Sequence, residues 1–277
     1  REALFRGTSA AVVAAGASLF LFGMARARSK PTVVDVEVPI AGLDAALHGF
    51  TIAQISDVHV GRSIKRPFIE SVVAAVNSVG ADLIAVTGDL VDGTVAELGE
   101  HTAPLAGLKA THGAWFVPGN HDYYAGVLPW IDEVKRLGLR VLLNTHEVIE
   151  HDGHKVVVAG VTDHSASRMV SGHASDPHKA MSGAPADAFK LLLAHQPASA
   201  AEASKAGFQL QLSGHTHGGQ FFPGTLFAHL VFPWVAGLHK LDQMWVYTSH
   251  GTGYVGPPLR TTRVAGEVTR LVLVPAR

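Results

Sequence analysis

Apolar and polar positions along this chain switch between two periods. Short apolar runs of strand length occupy residues 50–56, 83–86, 114–117, 155–159, 190–194, 208–212, 244–247 and 268–274. Between the first two runs, Phe68, Ile69, Val72, Val73, Val76 and Val79 recur at helical spacing, with Pro67 at the start and Gly80 at the end. A β-α-β unit of this kind predicts two parallel, adjacent strands. Further helices are expected at 128–137 and 198–206, and alternating strands and helices argue for an α/β fold. Residues 163–187, rich in Ser, Gly, Ala and His, read as a long loop, and residues 29–32 as a short linker.

A different pattern opens the chain. Residues 8–25 carry no charge, with Arg1 and Arg6 before them and Arg26, Arg28 and Lys30 after. The length is at the lower edge for a membrane-spanning helix and also fits the apolar part of a signal segment, with Ala25-Arg26-Ala27 resembling a cleavage site. A helix buried within the fold is the plainer alternative. The chain begins at Arg1 rather than Met, and a preceding Arg would make its start similar to a twin-arginine export signal. The expected organisation is therefore a hydrophobic membrane anchor or signal segment with linker at 1–30 and a single domain at 31–277. Localisation at the cell membrane, anchored or exported, follows; charges on both flanks leave the face open.

Composition narrows the chemistry. Charged residues make up 16% and hydrophobic ones 47%, so the chain can bury a core. A net charge of -1 without a basic run gives no reason to expect nucleic acid as a partner. Cysteine is absent, which excludes disulfides, thiolate metal sites and cysteine nucleophiles, whereas histidine numbers 17. Metal chemistry here must use imidazole, carboxylate and amide ligands, which suit Mn, Fe or Zn.

Several apolar runs end in such groups. Residues 50–56 lead into Asp57-Val58-His59, and 83–86 into Gly88-Asp89-Leu90-Val91-Asp92. The run at 114–117 leads into Gly119-Asn120-His121-Asp122, 190–194 into His195, and 208–212 into Ser213-Gly214-His215-Thr216-His217. In open α/β sheets ligands bind outside the carboxyl ends of the strands, so five strands would deliver metal-competent side chains to one edge. Asp57 and His59, two apart on an extended segment, would point the same way. Two ions held close together by a bridging carboxylate suit phosphoryl displacement.

Asp-x-His, Gly-Asp-x-x-Asp, Gly-Asn-His-Asp, a lone His after a strand and Gly-His-Thr-His, in this order, resemble the signature blocks of the calcineurin-like metallophosphoesterases, over residues 57–217. The resemblance implies a four-layer α/β/β/α sandwich of two mixed sheets. It implies Asp57, His59 and His217 on a first metal, Asn120, His195 and His215 on a second, and Asp89 bridging, with two divalent ions as cofactors. It makes His121 a catalytic histidine that contacts the scissile phosphate without ligating metal, and Asp92 its acidic partner. The implied function is a dinuclear-metal hydrolase that cleaves phosphoester bonds with a metal-bound hydroxide.

Departures narrow the branch. Gly93-Thr94 stands where protein Ser/Thr phosphatases carry Arg-Gly, and Asp122 where they carry Glu, which turns the reading towards phosphodiester or pyrophosphate bonds. The run Ser-Gly-His-Thr-His-Gly-Gly-Gln220 behind a hydrophobic segment is similar to a bacterial branch of membrane-associated or exported phosphodiesterases, whose substrates include nucleotide-sugar lipids. Ser249-His250-Gly251 replaces that branch's Ser-Arg-Gly, which leaves the role of His250 open. A phosphomonoesterase, a nuclease or a silent metal-binding scaffold are the competing readings. The aromatic stretch 221–234 fits core packing, or else a greasy lip that enters a bilayer or holds an acyl chain.

Overall fold

Alternate residues of each central strand face different neighbours, and that alternation builds the architecture. The computed structural model describes residues 2–262 and 264–276; Arg1, counted above among the flanking charges, lies outside them. The first strands are β1 (Thr32–Ile40), β2 (Thr51–Ile55), β3 (Leu83–Val86), β4 (Ala114–Phe116) and β5 (Arg140–Val141). Then come β6 (Thr145–His151), β7 (His154–Gly160), β8 (Phe189–Leu193), β9 (Leu210–Ser213), β10 (Gly237–Leu241) and β11 (Met244–Thr248). The last strand, β12 (Glu267–Pro275), returns to the first sheet between β1 and β2, giving the order β1-β12-β2-β3-β4-β5 against a second sheet β10-β11-β9-β8-β7-β6. Both sheets are mixed: β2, β3, β4 and β5 run parallel, as do β7, β8, β9 and β11, while β12 is antiparallel to β2 and the edge strands β6 and β10 are antiparallel to their neighbours.

Ile52, Leu83, Ala85 and Trp115 from the first sheet meet Val156, Val158, Leu191 and Leu210 from the second in one buried core. The intervening residues turn outward. Ala53, Ile55, Ile84 and Val86 pack under α2 (Arg66–Val79), with the outer core completed by Leu98 and Trp130. Trp130 belongs to a helix at Val127–Arg136 and Leu98 to one at Val95–Thr102. Val157, Ala159, Leu192 and Ala194 pack under a helix at Ala200–Ala206. Four layers, α/β/β/α, follow from that division, as the sequence resemblance implied. The β2-α2-β3 unit is parallel and adjacent, and α2 ends on Gly80 at φ 63°.

Some expectations shift. The loop at 163–187 carries a 3-10 turn at Ala166–Arg168 and a short helix at Pro177–Met181, and Thr32, placed in the linker, begins β1. Of residues 221–234, Trp234 packs against the core of the second sheet, but the helix before it does not pack as core. This helix, at Gly224–Val231, leaves Leu226 and Phe227 each 61% exposed and Leu230 82% exposed, while only Ala228 within it is buried. The N-terminal helix α1 (Glu2–Ala27) is long and apolar enough over Arg6–Ala27 to cross a membrane, and 6% of that window is buried. Its last turn does join the domain, because Ala27 sits in the core beneath the first sheet.

Leu83 is fully buried between the sheets. Leu83→Ala is expected to cost about 2–5 kcal/mol, read as a lowered denaturation midpoint in detergent without loss of secondary structure.

Candidate metal centre

Strand ends from both sheets, rather than one edge of a single open sheet, converge on the site. After β2 and β3 the chain continues as a parallel ladder outside the regular strands: Asp57 N–H donates to Gly88 O at 2.9 Å, His59 N–H to Asp89 O at 3.1 Å, and Val60 N–H to Leu90 O at 2.9 Å. The segment holding Asp57 and His59 is not extended, as the spacing argument assumed. Both residues sit in the left-handed region at φ 53°, and so do Asp89 at 50°, His215 at 72° and His217 at 51°. Left-handed backbone is uncommon outside glycine and costs on the order of 1–3 kcal/mol per residue. Here it aims each side chain at the same small volume.

Three groups of metal-competent atoms result among the described residues, one of them His59, Asp92 and His121, and the other two hold candidate ligands. In the first of those two, Asp57, His59 and His217 bring ligand atoms together, with His59 Nε2 facing His217 Nε2 at 3.1 Å and Asp57 Oδ1 3.5 Å from His217 Nε2. In the second, Asp89, His195 and His215 converge, with His195 Nε2 at 3.1 Å from Asp89 Oδ2 and 3.2 Å from His215 Nδ1. Asp89 Oδ2 also lies 3.9 Å from His59 Nε2, which puts this carboxylate between the clusters. Asn120, the next candidate, is buried at the start of a short helix, and its Oδ1 has no hydrogen-bond partner among the described residues.

The backs of three rings are fixed, which decides where the free nitrogen of each points. His195 Nδ1 donates to Thr87 O at 2.8 Å. His59 Nδ1 donates to Asp92 Oδ1 at 3.0 Å, and His121 Nδ1 donates to the same oxygen at 2.8 Å. Asp92 therefore orients two histidines, not one. Burial opposes its charge, yet the hydrogen bonds from His121 and His59 bring it down to about 2. Burial alone would lower His121, but the bond to Asp92 and the charge of Asp89 raise it above the usual imidazole value. Burial and the neighbouring His195 push His215 down to about 4, and burial with His59 and Arg260 takes His217 well below its ordinary value. Both keep a lone pair available.

Facing imidazole nitrogens, an unpartnered buried amide oxygen and a carboxylate between two histidine groups are a donor set that fits divalent cations and little else. Gly214 is required beside it, because a Cβ there would overlap Asp57 Oδ2 and Ser56 Oγ; at Gly119 a Cβ would overlap Asp89 Oδ1.

Three residues escaped the sequence reading. Asp122, noted there only as a departure, is 1% exposed and ties two loops together: its Oδ1 accepts from Leu90 N–H at 2.9 Å and Val91 N–H at 3.1 Å, and its Oδ2 from Gly119 N–H at 2.8 Å. Its position inside Gly-Asn-His-Asp was the available signal. Arg260 is fully buried with its Nη2 3.3 Å from His217 Nδ1, while Glu267 accepts from His250 Nδ1 at 2.8 Å. Nothing local in the sequence marks either, because both reach the site from the far end of the chain. His250 is thereby fixed at the rim, where its ring abuts Gly218. His173 bonds Tyr123 Oη through Nδ1 at 2.9 Å and stands apart from both clusters.

A two-sheet sandwich with paired histidine–carboxylate clusters at its joined strand ends has the form of a metal-dependent phosphoester hydrolase. The chain belongs to the calcineurin-like phosphoesterase family, whose pattern matches residues 50–219 and so spans every candidate ligand from Asp57 to His217. It is 36% identical to a transmembrane protein with metallophosphoesterase domain from Danio rerio, over 97% of this chain and 63% of that protein. It is 34% identical to an uncharacterized metallophosphoesterase of Helicobacter pylori, over 92% of this chain and 67% of that one. The chain spans about six-tenths of the length of its zebrafish and bovine relatives. In fold it resembles the sulfate thiohydrolase SoxB of Thermus thermophilus, with a TM-score of 0.51 at 14% identity over 83% of this chain and 58% of that one.

Asp122→Asn replaces one acceptor oxygen with a donor against the Gly119 N–H. Metal affinity is expected to fall about 10–100-fold, measured by calorimetric titration of the metal-free protein, with the circular dichroism spectrum retained.

Proposed function

We propose that this chain hydrolyses phosphodiester or pyrophosphate bonds at a dinuclear centre, with Asp57, His59 and His217 holding one ion, Asn120, His195 and His215 the other, and Asp89 shared. The observation that carries this reading is the position of the Asp89 carboxylate, within reach of His195 on one side and His59 on the other. Two such ions supply Lewis acidity to the phosphoryl oxygens and lower the pKa of bound water towards about 7.

The protein's own groups do the rest. His121, 30% exposed at its side chain, keeps its Nδ1 on Asp92 and lines an open cavity with Asp92 and Tyr124. Its raised pKa favours the protonated form, which stabilises charge on the phosphate and delivers a proton to the leaving oxygen. Asp92 holds that ring in place and keeps His59 aligned at the same time. No side-chain nucleophile is needed, which accords with the lack of cysteine.

Arg62 supports a second anionic or polar group on the substrate. It is exposed, lines a cavity with His59, Asp92 and Tyr254, and forms no ion pair with a described residue. A cation there suits the far phosphate of a pyrophosphate or the polar half of a diester. The α1 helix reads as an anchor for residues 1–30 rather than a segment cut after Ala27. Arg26 Nη2 donates to Thr262 O at 3.1 Å, Arg260 N–H donates to Gly23 O at 3.1 Å, and Ala27 is buried. Removing the helix would expose that seam.

Purified protein loaded with Mn²⁺ is expected to hydrolyse bis-p-nitrophenyl phosphate and to lose that activity on chelation. Asp89→Asn should abolish turnover, and His121→Ala should lower kcat by about 10²–10⁴-fold with both metals retained. Full metal occupancy with no turnover on any phosphoester would instead identify a silent scaffold. In the same assay, Arg62→Ala should raise KM for a diester or pyrophosphate and leave kcat near its starting value.

A further inference from the structure

The helix at Gly224–Val231, the lip, follows the last metal motif directly and presents all its large side chains to solvent. Phe222, Leu226 and Phe227 are each 61% exposed, Val231 71% and Leu230 82%. No Asp, Glu, Lys or Arg occurs between Gly218 and His239. A lip this apolar, beside an active site, is a surface that needs an apolar partner.

Its neighbour identifies the partner. Residues 255–262 form a strap that touches both the lip and the foot of α1. On the lip side, Thr261 N–H donates to Gln220 O at 3.0 Å, Phe222 N–H donates to Thr261 Oγ1 at 2.9 Å, and Gln220 Oε1 accepts from Val255 N–H at 2.9 Å. On the anchor side, Arg260 N–H donates to Gly23 O at 3.1 Å, Arg26 donates to Thr262 O at 3.1 Å, and Leu259 packs on Gly23. One strap thus lies between the emerging apolar helix and the apolar lip. Arg28 and Lys30, exposed at the end of that helix, mark the level of lipid headgroups.

We propose that the lip is a bilayer-docking surface, held against the membrane by α1, so that the mouth of the metal centre opens at the headgroup layer onto a bilayer-resident phosphoester. The inference rests on the phosphoesterase reading for its substrate, while the docking itself does not. A cavity of 360 Å³ joins the two features, lined by His215 and His217 on one side and by Phe227, Val231, Phe232 and Val255 on the other. A lipid phosphate at the metals would lay its apolar part along that wall and its polar part towards Arg62. An eight-residue helix without basic residues binds a bilayer weakly alone. Tethered by α1, it meets the bilayer at high effective concentration, so apolar contact suffices.

The lack of native cysteine allows the test on the whole chain. Leu230→Cys and, as control, Val148→Cys on the edge strand β6 are labelled with an environment-sensitive fluorophore. Both are reconstituted into phosphatidylcholine–phosphatidylglycerol vesicles containing doxyl-labelled lipid. The label at 230 is expected to shift to the blue and be quenched, and the label at 148 to remain aqueous. A 230 label that matches the 148 label overturns the proposal, as does pyrene excimer formation at 230 in place of lipid quenching, which would make the lip a contact between copies.

The second arm uses Leu226→Asp with Leu230→Asp, two side chains outside the cavity wall. Hydrolysis of phosphatidyl-p-nitrophenol in those vesicles should fall about tenfold or more, with hydrolysis of soluble bis-p-nitrophenyl phosphate changed less than about twofold. An equal loss on both substrates overturns the proposal by giving the lip a structural role. If the unaltered protein hydrolyses neither substrate, the phosphoesterase reading fails and the label positions alone decide docking.

Discussion

The side-chain amide of Gln54, fully buried in β2, ties the two sheets together where their strands end. Its Nε2 donates to Thr87 Oγ1 at 2.8 Å, within the first sheet's loop, and to Ser213 O at 2.9 Å, at the end of β9 in the second. Thr87 O then accepts from Ser56 Oγ at 3.1 Å and from His195 Nδ1 at 2.8 Å. This polar seam continues the apolar core between the sheets up to the edge of the metal centre. It sets the separation of His195 and His215, contributed by one sheet, from Asp57 and Asp89, contributed by the other. Buried polar groups are costly unless partnered, and the two Nε2 bonds limit the spacings the seam accepts, although Gln54 Oε1 has no partner among the described residues.

Against that rigid base the loops carry strain. Five of the seven candidate ligands have left-handed backbone, and none of the five is glycine. Such conformations persist when the surroundings over-determine them. Here the parallel ladder between the loops after β2 and β3, the three N–H groups gathered by Asp122 and the contact of Gly214 with Asp57 do so. The arrangement gathers carboxylates and imidazoles at hydrogen-bonding distance from one another, a charge pattern that cations complete. Preorganisation of this kind is what electrostatic catalysis of phosphoryl transfer calls for.

The mouth of the site is asymmetric. One flank, at Arg62 and Tyr254, is polar and cationic; the other, at Phe227, Val231 and Phe232, is apolar and continues into the exposed lip. The strap at 255–262 connects that apolar flank with the foot of α1 and also buries Arg260 behind His217. The candidate metal centre, the lip and α1 therefore share one structural element.

The sequence by itself determined the alternation of strands and helices and the parallel β2 and β3, which are written in apolar period and capping residues within short stretches. Motifs just past the strands supplied the seven candidate ligands, and the pairing of His121 with Asp92 came only through the family those motifs resemble. Only the tertiary structure decided the rest. That the ligands come from two sheets, that Asp92 also holds His59, that Asp122 clamps two loops and that Arg260 and Glu267 reach the site all depend on contacts between distant segments. The lip shows the limit most plainly. Its aromatic density is the same whether it packs inside or faces out, because composition records how apolar a segment is and not what covers it; here the fold leaves Leu230 and Phe227 uncovered.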